Sequence, residues 1–188
     1  MKSLIVLAHP NKESFNAAIA KKFEKQLKNK GEEVVVRDLY ELGFDPVMTW
    51  DEMNELRNGN IKEDVQIEQT FVKECDNIIF VYPIWWTSMP AILKGYIDRV
   101  FSYGFAYVFN EEGGIDGLLK GKSVTVVNTY GTPKEYYDAS GMSEAFHKTT
   151  DVGIFEFCGM NVKQHLYLGE VPYINEEQGS AILEKISY

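Results

Sequence analysis

Residues 77–101 read NIIFVYPIWWTSMPAILKGYIDRVF, and this stretch decides the fold of the chain. The apolar run from Ile78 to Tyr82 has the length and composition of a strand that is buried on both faces. The strand stops at Pro83, and Pro90 predicts the start of an amphipathic helix, because proline is favoured at the first helical position. A buried strand followed by such a helix is typical of a parallel sheet with crossover helices.

Two adjacent tryptophans, Trp85 and Trp86, lie in the connection between this strand and this helix. In open α/β sheets, ligands bind beyond the carboxyl ends of the strands. Paired indoles on a loop reduce solubility unless they cover something flat and apolar. The pair therefore indicates one wall of a ligand site. The alternative is that the two indoles cap the core or a subunit contact, and composition alone leaves both interpretations open.

The rest of the chain repeats the alternation of strand and helix. Apolar runs predict five strands, at 3–8, 33–38, 77–82, 123–128 and 161–168. Helical periodicity predicts helices at 15–30, 49–56, 62–75, 90–103, 142–157 and 175–186, an extended segment at 105–109, and loops at 39–50, 113–121 and 130–141. Right-handed crossovers with one reversal of winding direction then give a three-layer flavodoxin-like α/β sandwich with parallel strands ordered 2-1-3-4-5. No linker is visible, so residues 1–188 are predicted to form a single domain.

Composition excludes several classes of function. The chain has 28 acidic and 19 basic residues and a net charge of −9, so a nucleic-acid partner is not expected. No apolar run reaches about 18 residues, so no membrane span is predicted, and the expected location is cytoplasmic. Cys75 and Cys158 lack metal-ligand spacing and are interpreted as small buried thiols, so no metal site is predicted.

The loop after the first strand is the best candidate for a phosphate site. It runs from His9 to Asn16 and leads directly into a helix, whose free backbone amides attract anions. Ser14 and Asn16 add a hydroxyl and an amide. The loop contains no glycine, so neither a dinucleotide fingerprint nor a nucleotide-binding P-loop is present. The alternative interpretation is that Ser14 only caps the helix.

The loop after the fourth predicted strand completes the candidate site. Thr129, Tyr130, Gly131 and Tyr136 supply hydroxyls, aromatic rings and a backbone that a ligand can approach closely. Together the three loops predict a slot for a flat heteroaromatic ligand that carries phosphate, and flavin is the leading candidate. A hydrolase with a nucleophilic triad is disfavoured, because the chain has no GxSxG motif.

The same residues carry a resemblance to a known family. The chain resembles the NAD(P)H:quinone oxidoreductase (DT-diaphorase-like) family of the flavodoxin-like superfamily in His9-Pro10, Ser14-Phe15-Asn16, Pro83-Ile84-Trp85-Trp86, the run 90–101 (PAILKGYIDRVF) and 104–107 (GFAY). The resemblance implies a homodimer with two active sites at its interface, each holding FMN or FAD. It also implies two-electron ping-pong reduction of quinones or similar acceptors, with NAD(P)H as the hydride donor.

Roles are implied by position for the matching residues. The flavin phosphate and ribityl side is assigned to His9, Ser14, Phe15 and Asn16, and the ring to Pro83, Ile84, Trp85 and Trp86, with Trp86 preferred for direct contact. The far end of the ring is assigned to Thr129, Tyr130, Gly131 and Tyr136, among which Tyr136 and Gly131 are the candidate catalytic groups. The acceptor pocket of the partner subunit is assigned to Tyr107, Phe109 and Phe157.

Two departures from the family pattern qualify these roles. Vertebrate members carry a histidine six residues after the loop tyrosine, where this chain has Met142, and His147 lies five residues later. The chain also ends at Tyr188, without the long carboxyl-terminal extension of those members, which favours FMN over FAD. A flavodoxin-fold regulatory or electron-carrier subunit without NAD(P)H turnover is the main alternative function, and a purely structural dimer is the third.

Overall fold

The computed structural model describes all 188 residues, and its centre is one parallel sheet. Five strands form the sheet in the order β2-β1-β3-β6-β7, with every neighbouring pair parallel. Their bounds are β1 Lys2–Leu7, β2 Glu33–Asp38, β3 Asn77–Pro83, β6 Ser123–Thr129 and β7 Asn161–Leu168. This order is the predicted 2-1-3-4-5 arrangement of the flavodoxin-like sandwich, so the predicted fold class is confirmed.

Helices cover both faces of the sheet. They are α1 Phe15–Asn29, α2 Trp50–Arg57, α3 Glu63–Glu74, α4 Ala91–Val100, α5 Lys134–Ala139, α6 Met142–Phe146, a π-helix His147–Glu156 that continues α6, and α7 Glu176–Lys185. A single 3₁₀ turn, Val171–Tyr173, follows β7. No helix combines the length and the apolar character needed to cross a membrane.

The core divides into two layers because strand side chains alternate between the faces of the sheet. Ile5 and Leu7 pack with Ile19, Phe23 and Leu27 of α1. The intervening residues of the same strand pack on the opposite face, against α3, α4 and the π-helix. Since β1, β3 and β6 are buried along both faces, they present side chains to solvent only near their ends, and their carboxyl ends meet at one edge of the sheet.

The predictions for two loops and for one extended segment are wrong in detail. Residues 130–141 contain the short helix α5, and 113–121 contain the strand β5, Ile115–Gly117. That strand pairs antiparallel with β4, Tyr107–Phe109, in a separate two-stranded sheet, so only part of the segment 105–109 is extended. These elements are too short for a periodic sequence signal, and tertiary pairing decides their conformation.

Candidate functional site

A cavity of about 280 Å³ opens at the carboxyl edge of the sheet, between β1 and β3 and beside β6. The sheet reverses its winding direction at this point, where open α/β folds bind their ligands. Loops after four strands contribute to the cavity. Its lining consists of His9, Ser14, Phe15, Asn16, Pro83, Ile84, Trp85, Thr129, Tyr130, Gly131, Val171 and Pro172.

The loop between β1 and α1 presents donors to the cavity. Ser14 caps α1, since its hydroxyl accepts a hydrogen bond of 3.2 Å from the amide of Ala17. The amides of Phe15 and Asn16 follow at the first helical positions, where no acceptor exists within the helix. The Nδ1 atom of His9 lies 3.0 Å from the amide nitrogen of Asn11 and 3.2 Å from its carbonyl oxygen, which holds the imidazole against this loop. The structure shows the predicted Ser14 cap, and phosphate binding by the same loop stays a prediction.

Asn16 is the most informative residue of the cavity wall. Its side chain is 2% exposed, and its Nδ2 donates to the Thr129 hydroxyl at 2.8 Å. Its Oδ1 is buried without any hydrogen-bond partner. Leaving such an oxygen unpaired costs about 1–3 kcal/mol, so the atom indicates a missing donor. The ribityl hydroxyls or ring N–H of a flavin are donors of this kind, and the donor set at the start of α1 suits its phosphate. The residues present therefore fit a flavin.

The two tryptophans lie at a tight turn, and their side chains differ in exposure and in contact with the cavity. Trp85 and Ser88 exchange backbone hydrogen bonds of 2.9 and 3.1 Å, which leaves Trp86 and Thr87 as the two turn residues, with φ of 48° and 59°. Trp85 lines the cavity and lies 6.2 Å from the His9 ring. Trp86 is 98% exposed and is not among the lining residues. The preference for Trp86 as the direct contact thus stays a prediction, while the structure brings Trp85 to the cavity.

The loop after β6 contributes Thr129, Tyr130 and Gly131 to the cavity, but not Tyr136. Tyr130 stacks on Tyr137 with ring centroids 4.8 Å apart, and its buried hydroxyl has no partner. Burial raises the pKa of Tyr130 to about 12, so this hydroxyl remains a neutral donor. Tyr136 lies on α5 and is 66% exposed, so its catalytic role stays a prediction.

The aromatic residues assigned to the acceptor pocket form a separate cluster. Tyr107 packs edge-on against Phe109 and Phe157, with centroid distances of 6.3 and 5.2 Å. Tyr107 and Phe109 line an open groove of about 470 Å³, next to Met48 and Met53 of the α2 region. This groove is larger than the cavity at the sheet edge and includes Arg57, Asp98 and Ser102, but none of its lining residues comes from the loops after β1, β3 and β6, where open α/β folds bind their ligands. The smaller cavity is therefore the better candidate for a cofactor.

Sequence reasoning missed two parts of the site. Val171 and Pro172 line the cavity from the segment after β7, although the carboxyl end of that strand lies at the same sheet edge and could have been included. It also missed a buried polar cluster in which Asp151 contacts His165 at 2.8 Å and His147 at 2.9 Å. The i,i+4 spacing of His147 and Asp151 within one predicted helix could have indicated that pair, whereas His165 lies on β7 and could not be paired with Asp151 by spacing. No group of three or more such side chains is arranged to hold a metal ion.

Comparison with known proteins supports this architecture. Residues 1–187 match a family model described as a flavodoxin-like fold. A Haemophilus influenzae protein named as an uncharacterized NAD(P)H oxidoreductase is 39% identical over 185 residues, which is 98% of this chain and 91% of the relative. The mouse ribosyldihydronicotinamide dehydrogenase [quinone] is 35% identical over 182 residues, covering 86% of this chain and 78% of the relative. The chain belongs to the NAD(P)H:quinone oxidoreductase family of flavodoxin-like proteins.

Solved structures agree with the sequence relatives. Smu.1420 from Streptococcus mutans is 35% identical, with a TM-score of 0.84 and coverage of 98% of this chain and 96% of that one. The NAD(P)H:quinone oxidoreductase from Methanothermobacter marburgensis is 26% identical, with a TM-score of 0.86 and coverage of 98% and 92%. The likeness extends along the whole chain and is not limited to the tryptophan motif.

Proposed function

We propose that this protein is a flavin-dependent NAD(P)H oxidoreductase that reduces quinones or related acceptors by two-electron, ping-pong transfer. The unpaired Oδ1 of Asn16 carries the proposal, because it lies buried in a cavity that also offers the amides of α1 and the Trp85 ring. The relatives named as NAD(P)H oxidoreductase and as quinone dehydrogenases support the same activity.

The flavin supplies the hydride chemistry, and the protein residues hold and orient it. The α1 amides, Ser14 and His9 would bind the phosphate. Trp85 and Ile84 would flank the ring. The amide of Ile84 is already bonded to the Thr129 carbonyl at 2.8 Å, which fixes the two loops against one another before the ligand arrives. Preorganised contacts of this kind cost little on binding.

FMN is the proposed cofactor, with FAD as the alternative. The loop between β1 and α1 closes one end of the cavity, where its amides would bind the terminal phosphate of FMN. A groove of about 430 Å³ continues past Phe15 and Val171 along the start of α7, and this groove gives FAD a place for its second nucleotide. Mass spectrometry of the chromophore released from the purified protein distinguishes the two.

A homodimer is proposed from the exposed aromatic cluster. Phe109 is 63% exposed and lines the open groove that includes Met53, and Phe157 is 39% exposed and packs on Tyr107, which lines the same groove. In a dimer these rings would complete the acceptor pocket of the partner. Sedimentation of the wild-type protein and of a Phe109→Ser variant tests this, since a monomeric wild-type protein would contradict the proposal. The proposed location is the cytoplasm.

Absorbance spectroscopy tests the activity. The purified or FMN-reconstituted protein should be yellow, and NADH or NADPH added without oxygen should bleach the band near ~450 nm. Menadione should then restore the band and support steady turnover. A ribosyl-dihydronicotinamide donor belongs in the same assay, because the mouse relative carries that donor in its name. Protein that binds flavin but never oxidises a nicotinamide would instead indicate an electron carrier or regulatory subunit.

Asn16→Leu tests the role of the unpaired oxygen in flavin binding. Leucine has nearly the same shape and removes that oxygen together with the hydrogen bond to Thr129, and circular dichroism checks that the fold persists. Flavin affinity should fall at least about tenfold, which corresponds to about 1.4 kcal/mol. Unchanged affinity would remove the observation on which the assignment of this cavity rests.

A further inference from the structure

A buried ionisable cluster lies behind the wall of the flavin cavity. Asp151 of the π-helix is 3% exposed, and its two carboxylate oxygens contact the Nδ1 atoms of His165 and His147, at 2.8 and 2.9 Å. His165 is buried in β7, whereas His147 is half exposed. The Nε2 atom of His165 lies 2.6 Å from the Oδ1 of Asn128.

The cluster needs a positive charge. A buried carboxylate is costly unless a cation or several hydrogen bonds compensate it. Only the two histidines form ion-pair contacts with Asp151, and no Lys or Arg side chain does. The Asn128 amide presents its Oδ1 to Nε2 and leaves its own Nδ2 buried without a partner; in this arrangement His165 has an oxygen acceptor at each ring nitrogen, and only an imidazolium donates at both. The geometry thus favours a charged ring at His165.

The surrounding ionisable groups add no competing charge. Besides Asp151, the ionisable group that contacts His165 is Tyr167 on its own strand, and Tyr82 of β3 interacts with Asp151 and Tyr167. Asp138 also acts on Tyr167, but its charge is paired with Lys134 at 2.6 Å. Tyr167 stacks on the imidazole with centroids 4.0 Å apart, and its hydroxyl lies 3.0 Å from Nδ1. Burial raises the pKa of Tyr82 to about 12 and raises the pKa of Tyr167 as well, so both hydroxyls stay neutral.

The cluster is coupled to the cavity through one strand. Asn128 is followed directly in β6 by Thr129. The Thr129 hydroxyl accepts a hydrogen bond from the side-chain amide of Asn16, and its carbonyl oxygen accepts one from the backbone amide of Ile84. Ile84 lines the flavin cavity on one side, and on the other side a void of about 20 Å³ that Asn128 also lines. The imidazole therefore lies behind the cavity wall, where a low dielectric preserves the effect of a charge.

We propose that Asp151 holds His165 as an imidazolium, and that this buried charge makes the cavity bind reduced, anionic flavin more tightly than oxidised flavin. His165 is then a positioning and charge-compensating residue. Neither Met142 nor His147 lines the cavity, so neither residue supplies this charge there. The inference rests on the proposed function, because it requires that the cavity binds flavin.

Nitrogen-15 NMR of the flavin-free protein tests the charge directly. The chain has three histidines, so His9→Gln and His147→Gln spectra assign the His165 signals by elimination, even if a His165 variant does not fold. Two ring nitrogens with protonated-type shifts at neutral pH support the proposal. One protonated and one unprotonated nitrogen would overturn it, and would indicate that the Asn128 amide donates to Nε2.

Paired flavin titrations test the consequence. We would measure the dissociation constants of oxidised and dithionite-reduced FMN for the wild-type protein, His165→Gln and His147→Gln. His165→Gln should lower the preference for reduced FMN by about tenfold, as expected for one charge at intermediate dielectric. His147→Gln should change that preference by no more than about twofold, because its side chain is largely solvated.

The two proposals fail in different ways. A purely structural role of His165 weakens both flavin forms equally, and an unchanged preference in His165→Gln would overturn the inference alone. Absence of flavin binding to the wild-type protein would overturn the proposed function first, and the inference with it.

Discussion

At the scale of single residues, the site depends on which side chain of each loop faces the cavity. Trp85 and Trp86 are neighbours in sequence, yet one lines the cavity and the other is almost fully exposed. Asn16 and Thr129 are 113 positions apart and share a hydrogen bond. The chemistry of the site thus comes from residues that the sequence identified as candidates but could not orient.

The two indoles should differ in their contribution to flavin binding. Trp85→Ala should weaken FMN binding by about 1–3 kcal/mol, as expected for the loss of one buried aromatic contact. The predicted contact of Trp86 requires its exposed ring to lie over the cavity once flavin is bound, and Trp86→Ala would then show a loss of similar size. Fluorescence titration of FMN into both variants measures this. Full affinity in Trp85→Ala would contradict the cavity assignment.

Gly131 tests how closely a ligand approaches the backbone after β6. A Cβ at Gly131 would lie 3.7 Å from Pro172, which is an ordinary van der Waals contact. Gly131→Ala should therefore change the free energy of unfolding by less than about 0.5 kcal/mol. Flavin affinity should nevertheless fall by about tenfold if the ring packs against this backbone. Calorimetric titration gives the flavin affinity, and an unchanged affinity would indicate that the ring does not pack against the Gly131 backbone.

At the scale of elements, the turn after β3 stores strain beside the site. Trp86 and Thr87 both adopt positive φ in a two-residue turn, a conformation that normally selects asparagine and glycine. A β-branched residue at such a position costs on the order of 1–3 kcal/mol. Strain of this kind persists only where the flanking elements hold the turn, which here are β3 and α4.

Relief of this strain should be measurable. Thr87→Gly should stabilise the protein by about 1 kcal/mol, since the relief exceeds the entropy that glycine adds to the unfolded chain. Ser88→Gly is the matched control, because Ser88 does not have positive φ, and it should destabilise by about 0.5–1 kcal/mol. Urea unfolding compares the two, and equal destabilisation by both would show that the turn is unstrained.

Helix α4 depends on one glycine for its packing. A Cβ at Gly95 would overlap the carbonyl oxygen and Cα of Pro46, in the connection between β2 and α2. Gly95→Ala should destabilise the protein by about 3 kcal/mol or more, because backbone rather than a flexible side chain must move. The expected result is a lower urea midpoint or insoluble protein. Wild-type stability in this variant would mean that the connection is free to shift.

At the scale of the whole molecule, a buried arginine connects the helices beside the groove of about 470 Å³. Arg99 of α4 is 1% exposed and contacts Glu52 of α2 at 2.7 Å, Asp64 of α3 at 2.8 Å and the Asp45 carbonyl at 2.7 Å. Three helices and one connection therefore share one cation. Removal of a partner from such a group is costly, because it leaves buried charge uncompensated.

The arginine contacts make stability depend on pH at the acid end. Partial burial raises the pKa of Asp64, but the hydrogen bond and charge of Arg99 outweigh it, so the net pKa is lowered. A lowered carboxyl pKa stabilises the fold above the unfolded value of about 3.9, and that stability disappears as the pH falls through the folded value. Unfolding curves between about pH 6 and pH 2 should show this loss.

Asp64→Asn should remove part of the acid dependence. This variant should be less stable than the wild-type protein near pH 6, and the difference should vanish at the lowest pH. Glu63→Gln is the matched control, because Glu63 also lies in the first turn of α3 but has no ion-pair contact with Arg99. A constant difference at all pH values would show that the Asp64 charge does not contribute through Arg99.

The sequence by itself determined the strands, the main helices, the sheet order and the three loops that meet at the site. These features follow from local periodicity and from general rules of crossover handedness, which leave few topologies open. The meeting of the loop after β1 with the loop after β6 was also predictable, because the carboxyl ends of parallel strands meet at one edge.

Only the tertiary structure decided which candidates share the cavity. The left-handed turn at Trp86 and Thr87 directs Trp85 inward, and α5 carries Tyr136 away from the lining residues. The Asp151, His165 and Asn128 cluster joins the π-helix to two strands. Such contacts depend on how elements pack and on the geometry of single turns, and neither leaves a periodic signal in the chain.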